Sequence, residues 1–240
     1  MYFNLYNELG NKIQEIHPDE FQTFSKFQSA TASKMRLLDM IILRYNYSKK
    51  IYDEWWQETQ ANLRLYATSD DPEILRQSDA HARKGDFARR SIILDIESFL
   101  VFSRVMLDNI PWMLSPFFKI YISKNQPKTT DFRKLCDWFN KHPDEVEDKE
   151  FLKYILEFRD WFYENLRDPR NELVIHLERN STYDAFSSDG KIIRSKNSPN
   201  SDSRLIHGMG KQLGSPPLLF EELIKFHKKL ERFFLEKINS

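Results

Sequence analysis

One cysteine, Cys136, stands in 240 residues, so no intrachain disulfide can form and no cysteine-based zinc site can assemble. That usage fits a reducing compartment. The six histidines, His17, His81, His142, His176, His207 and His227, are scattered and show no HExxH or other paired-ligand spacing. Neither a metal nor another cofactor is expected. Glycine is scarce as well, with six in all, and the chain holds no glycine-rich phosphate loop and no GxSxG elbow. Neither charge sign prevails: 36 basic residues balance 36 acidic ones. A protein whose whole surface grips nucleic acid is unlike this, so any RNA site would have to be a local patch. Long hydrophobic runs are missing too. The start, "MYFNLYNELGNKIQEIHPDE", lacks the basic opening and apolar run of a signal peptide. The richest apolar stretch, "WMLSPFFKIYI", is short and interrupted by proline and lysine. The expectation is a cytoplasmic protein with no membrane partner.

What remains is helix-forming: leucine, lysine, glutamate and phenylalanine are plentiful, and period-2 alternation is almost absent. Apolar residues recur at helical spacing over roughly residues 19 to 67, with Met35, Leu38, Ile42, Tyr45 and Tyr52 in step. So long a pattern predicts a break or a place in a bundle. "TSDDPEI" predicts a turn and a helix start with Pro72 just inside it. The strongest core helix follows, with Ile92, Ile96, Phe99, Phe102, Met106 and Ile110 forming one seam before Pro111. Beside it run Glu97, Val101, Arg104 and Asp108, a stripe best read as an ion-pair face, since charges on so apolar a helix need partners or solvent.

Thr129 or Thr130 is the expected cap of a short helix that closes before Pro143. The next helix presents Phe151, Ile155, Phe158 and Phe162 on one face. Asp168 and Pro169 then read as the cap and first position of a further helix. "STYDAFSSDGKIIRSK" carries a hairpin signal around Ser188-Asp189-Gly190. The last helix rests on Leu219, Leu223, Phe226, Leu230 and Phe234. The expected fold is therefore all-α: a single elaborated helical domain over 1–240, with a core at about 87–179 plus a C-terminal helix at 217–238. A helical extension occupies 1–80, and a hairpin-bearing insertion occupies 181–216.

One stretch carries chemistry. "RNELVIH" places Arg170 six residues before His176, with the polar Asn171 beside the arginine. Sixteen arginines and six histidines, under three permitted spacings, give about one such match per chain by chance. Indeed "RQSDAH", from Arg76 to His81, is a second match, and it reads as a solvated face or turn. The weight rests on Asn171, on the helix start at Asp168-Pro169 and on the helices around it. A purely structural reading pairs Arg170 with Glu164 or Glu172 and lays His176 over its apolar neighbours.

These residues resemble the Arg-x(4–6)-His signature of the HEPN superfamily, over about residues 87 to 179. Many members place four residues between the pair, and this chain has five, which lies within the pattern. The resemblance implies an up-and-down helical bundle and a metal-independent endoribonuclease whose site is shared across a homodimer. Arg170, His176 and Asn171 would be its catalytic residues and RNA its substrate. Toxin–antitoxin or antiviral-defence systems supply the partners such proteins often have. The chemistry is coherent. His176 can take or give the proton of a 2′-hydroxyl attack, and the fork of Arg170 can hold the phosphate. On a continuous helix the pair lies about 9 Å apart along the axis and about 120° apart around it, a span that a twofold partner would close. A non-catalytic nucleotide- or protein-binding dimer and a plain helical scaffold stay open beside this.

Other candidates are less specific. Trp55 and Trp56, with Tyr45, Tyr47 and Tyr52, have the rings to stack bases but also the spacing of a core. Cys136 has no histidine near it in sequence and reads as a buried thiol. Lys225, Lys228, Lys229 and Arg232 on the last helix are diluted by four glutamates.

Overall fold

The computed structural model describes residues 5–118, 122–123, 131–170, 185–186, 192–193 and 216–239. They are mostly helical, an all-α fold. Helix α1 spans Asn7–Ile16, α2 Pro18–Thr68, α3 Pro72–Leu107 and α4 Ile110–Phe117. After these come α5 at Phe132–Lys141 and α6 at Lys149–Phe162. A π-turn at Tyr163–Arg167 leads into the short α7, Asp168–Arg170, and α8 runs over Pro216–Asn239. Ala185–Phe186 pairs antiparallel with Ile192–Ile193.

Local chemistry explains most boundaries. Proline opens α2, α3 and α8, where its missing N–H costs nothing. Asp71 caps α3 by accepting from the N–H of Glu73 at 2.8 Å. Of the two readings of the pattern over 19–67, a break or a place in a bundle, the break does not occur: α2 is one helix of 51 residues, and its sequence after Pro18 holds neither glycine nor proline to interrupt it. The cap of α5 is Asp131 rather than Thr129 or Thr130, its carboxylate accepting from the N–H of Lys134 at 2.9 Å. Asp148 caps α6 in the same way, through Phe151 N–H at 2.9 Å.

The chain divides into two compact units. Unit 1 comprises Met1–Asp39, Leu100–Asn171 and Pro217–Ser240. Its core joins Leu9, Ile13 and Phe24 to Met106, Ile110 and Phe117, and to the inner faces of α5, α6 and α8. The expected face of α6 is buried throughout: Phe151, Ile155, Phe158 and Phe162. Phe158 stacks on Phe226 of α8 with ring centroids 3.5 Å apart, and Phe132 of α5 meets Phe158, Phe162 and Phe226 edge-on. Little more than a turn further along α8, Glu231 accepts from the backbone N–H groups of Tyr6 and Leu9, supplying a cap to α1 that the local sequence lacks. Tyr6 is held there at φ 65°, its hydroxyl 2.8 Å from His227 Nδ1.

Unit 2 comprises Met40–Phe99 and Glu172–Pro216. Within it α2 and α3 run antiparallel, since Arg44 meets Asp95 while Thr59, further along α2, meets His81, earlier in α3. Ile41, Ile42, Tyr52, Ala88, Ile92, Ile96 and Phe99 are buried. The buried carboxylate of Asp95 is raised by desolvation, which the Arg44 guanidinium partly offsets. Gly85 lets the helices close: a Cβ built there would lie 2.2 Å from the Trp55 ring. No helix among the described residues is long and apolar enough to cross a membrane.

Candidate active site at the end of α6

Arg170, the first residue of the Arg–His signature, ends the described part of this region and is half-buried. Asn171 and His176 lie outside the described residues. The helix start expected at Asp168-Pro169 is not a start. The chain stays helical from Lys149 through the π-turn to Arg170, and Asp168 has ordinary right-handed helical dihedrals (φ −69°, ψ −44°). Proline within a helix removes one donor and clashes with the carbonyl four residues back. A π-turn just before it shifts the bonding pattern to i→i−5, seen here as Asp168 N–H to the Tyr163 carbonyl. The proline signal was real, but a π-turn absorbed it.

That turn carries polar contacts. Tyr163 donates its hydroxyl to Asp137 Oδ1 on α5 at 2.8 Å. Burial and this carboxylate together push the phenol up to about 12. Arg167 lies over the Tyr163 ring, its guanidinium carbon 4.7 Å from the centroid, and its Nη1 reaches Asp168 at 3.2 Å. Asn165 donates back to the Trp161 carbonyl at 2.9 Å.

Below this surface lies a second arginine network. Arg104 on α3 donates through Nε to Asp108 at 3.0 Å and approaches Asp131 at 3.4 Å through Nη2. Its guanidinium also covers the Phe162 ring, 5.1 Å from the centroid. Asp108 accepts from Phe132 N–H at 2.9 Å. Burial raises Asp108, and these two donors pull it back toward its ionised form. The Arg104–Asp108 stripe is therefore the ion-pair face anticipated for it, tying the end of α3 to the start of α5. Glu97 has interactions of its own.

The remaining candidates resolve into structure. Cys136 is fully buried, and burial drives its thiol far above the ordinary range, so it is no nucleophile. Trp55 and Tyr52 pack with one another inside unit 2, whereas Tyr47 is exposed. Lys225 pairs with Glu222, and Lys229 sits over the Tyr154 ring. Arg76 is exposed and pairs with Glu73, as a chance match should. His81 departs from expectation. Its side chain is only 11% exposed, lies against Trp55 and Tyr66, and hydrogen-bonds Thr59 at 2.7 Å. No group of three metal-ligating side chains occurs among the described residues.

Sequence reasoning missed Tyr163, Asp137 and Arg167. Their signal was weak: an arginine four residues after a tyrosine on a helix, with an aspartate that only the packing of α5 on α6 brings near. No protein family, no curated protein and no solved structure matches this chain.

Proposed function

We propose that the protein is a metal-independent endoribonuclease of the HEPN type, working as a homodimer. Arg170 holds the scissile phosphate, His176 transfers protons, and Asn171 orients the histidine or binds phosphate as a neutral donor. The bundle of α3, α5, α6 and α8 is taken as HEPN-like, with residues 1–80 as an extension and 181–216 as a hairpin-bearing insertion. The observation that carries the reading is the position of Arg170. It lies in the helical stretch just after a π-turn that presents an arginine on a tyrosine braced by Asp137, and π-turns of this kind frequently mark functional sites.

In the reaction the 2′-oxygen attacks the adjacent phosphorus, its proton passing to a neutral imidazole. The bond to the 5′-oxygen breaks, and that oxygen takes a proton from an imidazolium. The products are a 2′,3′-cyclic phosphate and a free 5′-hydroxyl. One histidine per chain serves both roles if two copies of His176 face one cleft. The guanidinium forks counter the charge that builds on the non-bridging oxygens. Toxin or antiviral-defence work is the setting this activity fits.

RNA incubated with the protein in EDTA tests the proposal. Wild type is expected to leave cyclic-phosphate ends, while Arg170→Ala and His176→Ala each lose on the order of a hundredfold or more in rate. Arg76→Ala, at the chance match, should cleave like wild type. Equal cleavage by all four proteins would overturn the assignment.

A further inference from the structure

We infer that Arg167 is a second phosphate-binding residue, gripping the backbone of a single-stranded RNA beside the phosphate held by Arg170. The RNA identity of the ligand rests on the ribonuclease reading; the geometry of the arginine does not. Within unit 1, four arginines lie on the last turns of α3, on α6 and on the helical stretch that continues α6: Arg104, Arg159, Arg167 and Arg170. Arg104, 14% exposed, is committed to Asp108 and Asp131. Arg159, 19% exposed, holds one oxygen of Asp160 through two nitrogens at 2.9 and 2.7 Å. Arg167 is 34% exposed and meets the outward Asp168 at 3.2 Å.

A pair of this kind between partly solvated neighbours contributes little, so an incoming phosphate can displace it. The stacking on Tyr163 matters more. A guanidinium lying on an aromatic face keeps the edge of its fork open to accept an anion, with less side-chain freedom left to lose on binding. The platform is itself fixed, because the tyrosine hydroxyl is tied to Asp137 on a different helix. Arg167 and Arg170 stand three positions apart, which on a helix places side chains as neighbours roughly 5–6 Å apart at Cβ. Two forks at that separation suit two phosphates of one strand better than a single free anion.

The test is binding of a fluorescent oligouridine to the full chain carrying His176→Ala, followed between roughly 50 and 200 mM salt. Adding Arg167→Gln should reduce the slope of log affinity against log salt by about 0.7, the loss of one contact to a single strand. Tyr163→Leu, which removes the platform, should weaken binding several-fold, and Arg167→Lys should keep the slope yet weaken binding. Melting curves within a few degrees of the parent establish that each variant is folded. An unchanged slope for Arg167→Gln, with Arg170→Ala still losing slope and cleavage, overturns the inference and leaves the ribonuclease reading intact. A lowered slope for Arg167→Gln, alongside Arg170→Ala and His176→Ala proteins that cleave like wild type, supports the contact and removes the nuclease assignment. No binding of the oligouridine by the parent overturns both.

Discussion

His227 is wholly buried on α8, one nitrogen against the Tyr6 hydroxyl and the other without a partner among the described residues. Burial lowers its pKa to about 3, whereas an unfolded histidine titrates near 6.5. Between these values the unfolded chain binds a proton that the fold excludes. Stability therefore falls as the pH drops through that window, by at most about 1.4 kcal/mol per pH unit for one proton. Glu231, one turn further on, acts the other way. Partial burial raises its carboxyl above the ordinary range, so the fold retains that proton and gains from acid. The histidine contribution is isolated by comparing slopes. Melting temperature should decline from pH 6.5 to 5 in wild type and less steeply in His227→Leu. The variant will also melt lower throughout, because the Tyr6 hydroxyl loses its partner, so parallel curves are the result that would reject this account. Nothing in "IKFHKKL" distinguished His227 from a surface histidine. Its burial follows from the heptad-like rhythm of Leu223, Phe226 and Leu230 around it, together with a tyrosine from the far end of the chain.

At the scale of elements, the helices whose boundaries depend on their own residues were readable in the sequence. Pro72, the close before Pro143 and the phenylalanine face of α6 all act within a turn or two. The long pattern of α2, open to a break or a place in a bundle, runs on without one, since neither glycine nor proline follows Pro18 in it. The boundaries that differed were the cap of α5, which fell to Asp131 rather than Thr129 or Thr130, and Pro169, which was accommodated by a π-turn instead of starting a helix. Gly85 shows the same limit. A glycine inside a helix ordinarily costs roughly 1 kcal/mol against alanine, so sequence alone predicts that Gly85→Ala stabilises. The Trp55 ring reverses that sign. An added Cβ would meet three ring atoms at 2.2 to 2.6 Å, and relieving such overlap typically costs about 1–3 kcal/mol. Gly85→Ala should lower the melting temperature, and Trp55→Leu in the same chain should recover part of the loss. A more stable Gly85→Ala protein would show that the helices can part without cost.

At the scale of the whole molecule, composition was informative about class and uninformative about site. Few glycines and no alternation announced an all-α protein, but Arg-to-His spacing occurs twice here, and only surroundings separate the two. Arg76 and His81 are tied to different partners: the arginine to Glu73 in its own first turn, the histidine across to Thr59 on α2. The Arg170 copy makes a stronger demand, because one chain offers one histidine to a reaction that needs a base and an acid. A twofold assembly meets that demand, and mixing exposes it. If both copies of His176 face one cleft, a dimer with a single intact histidine lacks either its base or its acid. After wild type and His176→Ala are unfolded and refolded together in equal amounts, about a quarter of the dimers by random pairing keep both histidines. RNA cleavage should then fall to roughly a quarter of the rate of the same amount of wild-type protein, below the half that independent chains would retain. Dilution of wild type toward the dissociation constant should abolish cleavage in parallel with the loss of dimer in sedimentation. A mixture that keeps half of the rate, with mixed dimers demonstrated, would mean that each chain cleaves with its own histidine.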